Sequence, residues 1–423
     1  MKLSIPAVKL LVVLSLSSLP VSAVQEAQEV TPRHALAVGE DFDRPVDAEV
    51  EPWRVELLQL AFQTARRYPK QPHVKNQART LERIVIGALE LDQPELALSM
   101  VPANPNWRRG AGYAAYAIYC ARNGFPEAAR HAIDRAHEIA DNEDLLGGQS
   151  WRRDRVRSAI AQAHALMGEL EQAEEIERSL EIAERGRTLV VLVERVEAER
   201  FDEQLTAIRG LLDNGTFDQQ KNVLLGLAAT LERYYGDREK RAALLAAVQE
   251  SVNWPRLPVT LRVEVLAGLA NAASRSGDAE TAVELLDQGR ALIDERENWP
   301  AEAVVPLFSA LARGRFLAGQ EPLALKNAQE ALEGYEAGRE SVSNVFRAET
   351  LRPLAEAYWD MELPEMALGI YRRVLDEGAV NPNSWPRGDD LIDTIISMVL
   401  HEARPGAEVM GVIQAQAEAV FPQ

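Results

Sequence analysis

Ala117-Ile118-Tyr119-Cys120-Ala121-Arg122-Asn123-Gly124-Phe125-Pro126-Glu127-Ala128-Ala129 decides the fold. Its first half ends a run with apolar residues at helical spacing, and its second half opens another that continues through Ile133 and Ala136. Between them Asn123-Gly124 supplies a turn, and Pro126 sits where a first helical turn has no N–H bond to lose. The stretch reads as two helices folded back on each other. Comparable turns stand at Met167-Gly168-Glu169, Ser276-Gly277-Asp278 and Leu363-Pro364-Glu365. Beyond Glu51 nearly every segment carries apolar residues at i, i+3, i+4 and i+7, with Ala, Leu, Glu and Arg dominating. Strand alternation is almost absent. Leu189–Val193 is the one ambiguous run, and its charged flanks favour a buried helix.

The turns recur in register with a small residue on the helix that follows. Ala97, Ala129, Ala173, Leu205, Ala242, Ala282, Ala324 and Ala367 are separated by 32, 44, 32, 37, 40, 42 and 43 residues. A unit of about 40 residues cannot bury its apolar face alone, so neighbouring units must stack on a shared core. Trp107 and Trp151 lie 44 residues apart, in step with Ala129 and Ala173. Asn253-Trp254-Pro255 and Asn298-Trp299-Pro300 lie 45 apart and read as a cap leading into a first helical turn.

In these residues the chain resembles the tetratricopeptide repeat. The same pattern is legible from Leu269-Ala270 through Gly277-Asp278-Ala279-Glu280-Thr281-Ala282 to Leu286, and from Ala355-Glu356-Ala357-Tyr358 through Pro364-Glu365-Met366-Ala367 to Tyr371. Several intervals exceed the family's usual 34 residues and are similar to a 42-residue variant, and the units around Leu205 and Ala242 are degenerate. The resemblance implies an all-α fold: a right-handed α-solenoid of about eight antiparallel helix pairs over residues 73–378, with a capping helix in 52–72 and capping helices in 379–423. It also implies a concave face that binds extended peptides or partner helices. By pattern match Arg122, Gln162, Asn271, Arg275, Arg313, Arg352 and Glu356 would face that groove. The family's full clamp for a C-terminal carboxylate is missing.

The chain has 423 residues and a formal net charge of −19. An excess of acids argues against non-specific binding of a phosphate backbone. Lys2 and Lys9, the apolar run Leu10–Ser18 and the small-residue site Val21-x-Ala23 read as a signal peptide over 1–23, cleaved to leave an exported protein, periplasmic or secreted. Its apolar core is too short to span a bilayer, which takes roughly 20 residues. An acidic leader, expected to be disordered, follows over residues 24–51. The single cysteine, Cys120, cannot form an internal disulfide and reads as a buried small hydrophobe.

Motifs for chemistry are scarce. No nucleophile elbow, P-loop or dinucleotide fingerprint occurs, and no cofactor is implied. The six histidines lack metal-ligand spacing: His131 and His137 are six apart, and His401-Glu402 runs into Pro405 instead of a second histidine. The acid clusters Asp141-Asn142-Glu143-Asp144 and Asp389-Asp390 are expected between helices, as caps and turns. Asn214-Gly215-Thr216 fits a glycosylation sequon and equally a turn. One charge feature stands apart. Trp107-Arg108-Arg109 and Trp151-Arg152-Arg153 open adjacent units, the second continuing to Arg155 and Arg157. Stacking should set them side by side as an anion-binding ledge, since guanidinium forks suit carboxylates and sulfates. The favoured function is a non-catalytic scaffold that binds a protein or peptide. The alternatives are an (α/α) toroid acting on polysaccharide, whose ends would meet where a solenoid's stay apart, and a structural spacer without a ligand.

Overall fold

The computed structural model describes residues 42–69, 74–181, 184, 186–296 and 298–420. The segment read as a signal peptide, and residues 24–41 of the leader, lie outside them. Among the described residues there is no strand, and twenty α-helices follow one another. α1 (Pro52–Arg66) precedes α2 (Val74–Glu90) and α3 (Pro94–Met100), then α4 (Arg108–Arg122) and α5 (Pro126–Ala140). The short α6 (Glu143–Leu146) leads to α7 (Ser150–Leu166) and α8 (Leu170–Ser179), then α9 (Thr188–Glu194) and α10 (Phe201–Asn214). There follow α11 (Phe217–Tyr234) and α12 (Arg238–Gln249), α13 (Val259–Arg275) and α14 (Ala279–Asp294), and α15 (Ala301–Leu317) and α16 (Glu321–Gly338). The last are α17 (Asn344–Asp360) and α18 (Pro364–Ala379), and α19 (Ser384–Leu400) and α20 (Ala407–Val420).

The turn that decides the fold takes the expected form. Gly124 sits at φ +84°, a left-handed conformation in which a side chain would be strained, and Pro126 occupies the first turn of α5. The small residues of the repeat are buried on the second helix of each pair: Ala97, Ala129, Ala173, Leu205, Ala282, Ala324 and Ala367. Ala242 is the exception. It is exposed, because α12 buries Leu244, Ala247 and Val248 instead. The Asn-Trp-Pro motifs do not cap helices. Asn253 donates Nδ2 to the carbonyls of Leu212 and Asp213, Trp254–Arg256 forms one 3-10 turn, and Asn298 takes φ +61° two residues before the Pro300 that precedes α15.

The first helices of successive pairs pack side by side in the order α2, α4, α7, α9, α11, α13, α15, α17, α19, and one apolar core runs from Trp53 to Val420. The expectation of two capped, separate ends is corrected here. α1 and α2 both pack on α19, and α20 packs on α18 and α1, so the circuit closes. Arg54, itself buried, donates Nε to the Val399 carbonyl (2.9 Å) and pairs with Glu402 (3.0 Å). The Tyr68 hydroxyl donates to Asp389 (3.1 Å), and Arg67 donates to the Ala417 carbonyl. The physical reason lies in the end helices. Trp53, Leu57 and Leu58 on α1 and Leu391, Ile395 and Val399 on α19 are all buried, and packing α1 on α19 supplies the cover that a further repeat would otherwise give.

Residues 42–51, within the segment read as a leader, form neither helix nor strand. Ala48 donates its N–H to Asp92 (2.9 Å), and the Asp47 carboxylate accepts from the Glu95 N–H (2.7 Å) at the start of α3, satisfying a donor that a helix N-terminus leaves open. Among the described residues no helix is long and apolar enough to cross a membrane.

Candidate functional site

Each inner helix has an inner neighbour on either side and, except for the short α9, an outer helix behind it, which leaves one stripe of side chains uncovered on the inside of the circuit. At helical spacing the stripes read Arg79, Arg83, Ile86 and Glu90 on α2, then Arg108, Ala111, Ala115, Ile118 and Arg122 on α4. On α7 they read Arg152, Arg155, Ala159 and Gln162, and on α19 Trp385, Asp389, Asp393 and Ile396.

The two Trp-Arg openings come together at the N-terminal ends of α4 and α7. The rings of Trp107 and Trp151 meet edge-to-face with centroids 5.5 Å apart. The Arg108 guanidinium lies 4.5 Å over Trp107 and that of Arg152 5.5 Å over Trp151. Arg108 is ion-paired with Glu82. Arg152 donates one bond, to the Leu146 carbonyl (2.7 Å), and its Nε is buried without a partner. Arg155 stands 3.9 Å from Glu184, whose carboxylate Arg187 already holds at 2.9 Å. Arg79, absent from the sequence-based site, belongs here too. Among the described residues it makes no ion pair within 4 Å, and its Nε is buried without a hydrogen bond. Burial, followed by the nearby charges of Arg108 and Arg83, lowers the pKa of Arg79. Burial and then Arg108 lower that of Arg152, and burial and then Arg187 that of Arg155.

Arg109, Arg153 and Arg157 do not join them. Arg109 donates to the Asn104 carbonyl, Arg153 lies beside Asp154 (3.5 Å), and the charge of Arg157 acts on His137 of α5. At the C-terminal ends of the inner helices the expected groove residues are tied to other inner helices: Arg275 to Glu232 (3.0 Å) and Arg313 to Asp360 on the adjacent helix, and Arg122 to Glu194 (3.0 Å) past α7. The Asn271 Oδ1 is buried without a hydrogen bond, as are Nε and Nη2 of Arg352.

Asp389 and Asp390 lie inside α19, which corrects their expected place in a loop. α19 starts at Ser384, so Pro386 falls in its first turn and both acids in its second. Asp389 receives Tyr68, Thr80 and Arg83, while Arg83 also reaches Asp393 (3.0 Å). Burial pushes the Asp390 carboxyl up to about 7, and its Oδ2 has no partner. Beyond it the Ser397 hydroxyl donates to Glu356 (2.7 Å) and shares a hydrogen bond with Tyr371 (2.8 Å), and His401 Nδ1 lies 3.0 Å from Asp360. Asn142 caps α6, and Thr216 of the sequon-like turn caps α11 in a capping box with Gln219. Burial pushes the Cys120 thiol up to about 12. Among the described residues no group of three or more His, Cys, Asp or Glu could hold a metal ion. A cleft of about 800 Å³ lies at the closure, between Gln63, Arg66 and Arg67 of α1 and Gln414 and Glu418 of α20.

No protein-family model matches the chain. No curated protein matches it either.

Proposed function

We propose that this chain is an exported, non-catalytic helical-repeat protein of the tetratricopeptide type, which holds a polypeptide partner against the inside of its circuit. One observation carries the reading: large apolar side chains are left uncovered at inner-helix positions on α2, α9 and α15, as others are on the outer α8, α16 and α18. Ile86 on α2, Leu192 on α9 and Leu317 on α15 are 36%, 37% and 47% exposed. Apolar side chains facing a shared concavity mark an interaction surface, whereas singly scattered ones need no explanation. A polypeptide laid along them would bury them by partial docking, with polar groups setting its direction.

A photo-crosslinking residue at Ala115, on the inner stripe of α4, should capture a polypeptide from an exported fraction. The same probe at Gln329, on the outer α16, should not. Leu192→Glu should abolish that capture with a modest change in melting temperature, because the side chain it replaces is partly exposed. Capture from Gln329 alone, or from neither site, would refute the reading.

The closed circuit favours a second reading, the polysaccharide-acting toroid, with the carboxyls of α19 as its acids. Against it stands their engagement: Asp389 accepts two hydrogen bonds and is ion-paired with Arg83, and Asp390 is buried rather than open to a cleft. Release of reducing ends or of unsaturated sugars from a uronate polysaccharide would establish it in place of the binding role.

A further inference from the structure

We propose that Arg79, Arg152 and Arg155, gathered around Arg108, form a receptor for the carboxylate side chains of an acidic polypeptide that enters the circuit at the N-terminal ends of α2, α4 and α7. This rests on the inner-face reading above and gives its partner a chemistry.

The argument begins with charge. In a chain of net charge −19, arginines beside arginines are the reverse of what solubility or pairing would select. Arg108 is the common neighbour whose charge acts on all three of the others, and Glu82, its ion-pair partner, also offsets part of the charge felt by Arg79 and Arg155. Hydrogen-bonding capacity is also unspent. Arg79 makes no side-chain hydrogen bond among the described residues, Arg152 makes one, and Arg155 has a single ion pair near the limit of contact. Nε of Arg79 and of Arg152 is buried without a partner, which is costly, and the outer nitrogens of the same forks are free to take a carboxylate. One receptor fork is also held in place: Arg152 lies over the Trp151 ring, as Arg108 lies over Trp107, and the two rings pack on each other. A preorganised guanidinium plane is what bidentate carboxylate recognition requires. The occupant is a polypeptide and not a charged polysaccharide because the stripes that begin with these arginines continue into apolar residues, Ile86 on α2 and Ile118 on α4. An acidic peptide with aliphatic side chains complements both parts.

The test uses the full chain and two fluorescein-labelled peptides of alternating Leu, Ala and Glu, the second with Gln in place of every Glu. Fluorescence anisotropy should show the Glu peptide binding about 10–100-fold more tightly, the range expected for charge-assisted hydrogen bonds, with the difference shrinking in high salt. Arg152→Gln with Arg155→Gln should erase the preference, as should Arg79→Gln in large part, whereas Arg153→Gln with Arg157→Gln should leave it intact. The receptor variants should melt no lower than the parent, since each relieves repulsion, and Arg79→Gln alone keeps the test open should the double variant fold poorly. Equal binding of the two peptides overturns the receptor and spares the inner-face reading. Binding of neither overturns both. Polygalacturonate outcompeting the Glu peptide overturns the choice of a polypeptide.

Discussion

Two titratable residues in the seam between α17 and α19 make stability fall as pH rises, for different reasons. Asp390 is 8% exposed, and burial lifts its carboxyl from 3.8 to about 7 despite the charge of Arg352 nearby. A raised carboxylate pKa means the folded state holds its proton longer than the unfolded chain does. The penalty is therefore absent below 3.8, grows through the interval, and is complete above 7. Asp390→Asn should raise stability by roughly 1–3 kcal/mol at pH 8, with the gain vanishing near pH 4, as thermal melts across that range would show. Burial alone would lower the pKa of His401, but the hydrogen bond to Asp360 and the charges of Glu356 and Asp360 outweigh it and raise it above 6.5. Its contribution is fully present below 6.5 and is lost as pH climbs through the higher folded value. The melting temperature of His401→Gln should fall furthest below that of the parent near pH 5.5, and the gap should narrow in alkali. A gap that widened with pH would refute this.

At the scale of the helix, two glycines that look alike in sequence should respond oppositely to alanine. Gly210 in α10 has no atom within 4 Å of where a Cβ would stand, so Gly210→Ala should stabilise by up to about 1 kcal/mol through helix propensity. Gly388 in α19 faces the Tyr68 ring, whose Cζ would lie 2.9 Å from the new Cβ. Gly388→Ala should therefore destabilise by roughly 1–3 kcal/mol, because overpacking exceeds the propensity gain. Urea titrations of the two variants check both signs. The same contrast explains what could be read in advance. Helix pairs and the buried small residues from Ala97 to Ala367 were legible because their periods are local, a few residues within a helix and about 40 between units. The register of α12 was not, since Ala242 and Leu244 offer the same apolar signal on different faces. Nor was the placement of Asp389, because Trp385-Pro386-Arg387-Gly388 reads as loop chemistry until α19 is seen to begin before it. The Trp107 and Trp151 openings were legible as a pair, but Arg79 carries no motif and joins them only through packing of α2 on α4.

Across the whole molecule, closure makes the two ends of the chain depend on each other. In an open array, losing the last helix weakens only its neighbours. Here a chain stopped at Pro405, lacking α20, should show faster amide exchange in α1 as well as in α18, with α11 to α13 unchanged. Exchange in α1 indifferent to the truncation would count against a closed circuit. Neither end announced this partner, because pairing between Arg54 and Val399 leaves no periodic trace across a separation of 345 positions. That span also orders events in time. Bringing residues so far apart together exceeds the entropy of joining two adjacent units by roughly three doublings of loop length, about 2 kcal/mol. The ribosome must also deliver the final helices before the junction can form at all. Through synthesis, Trp53, Leu57 and Leu58 on α1 have α2 beside them but wait for the cover of α19 and α20, so a chaperone would have most to shield there.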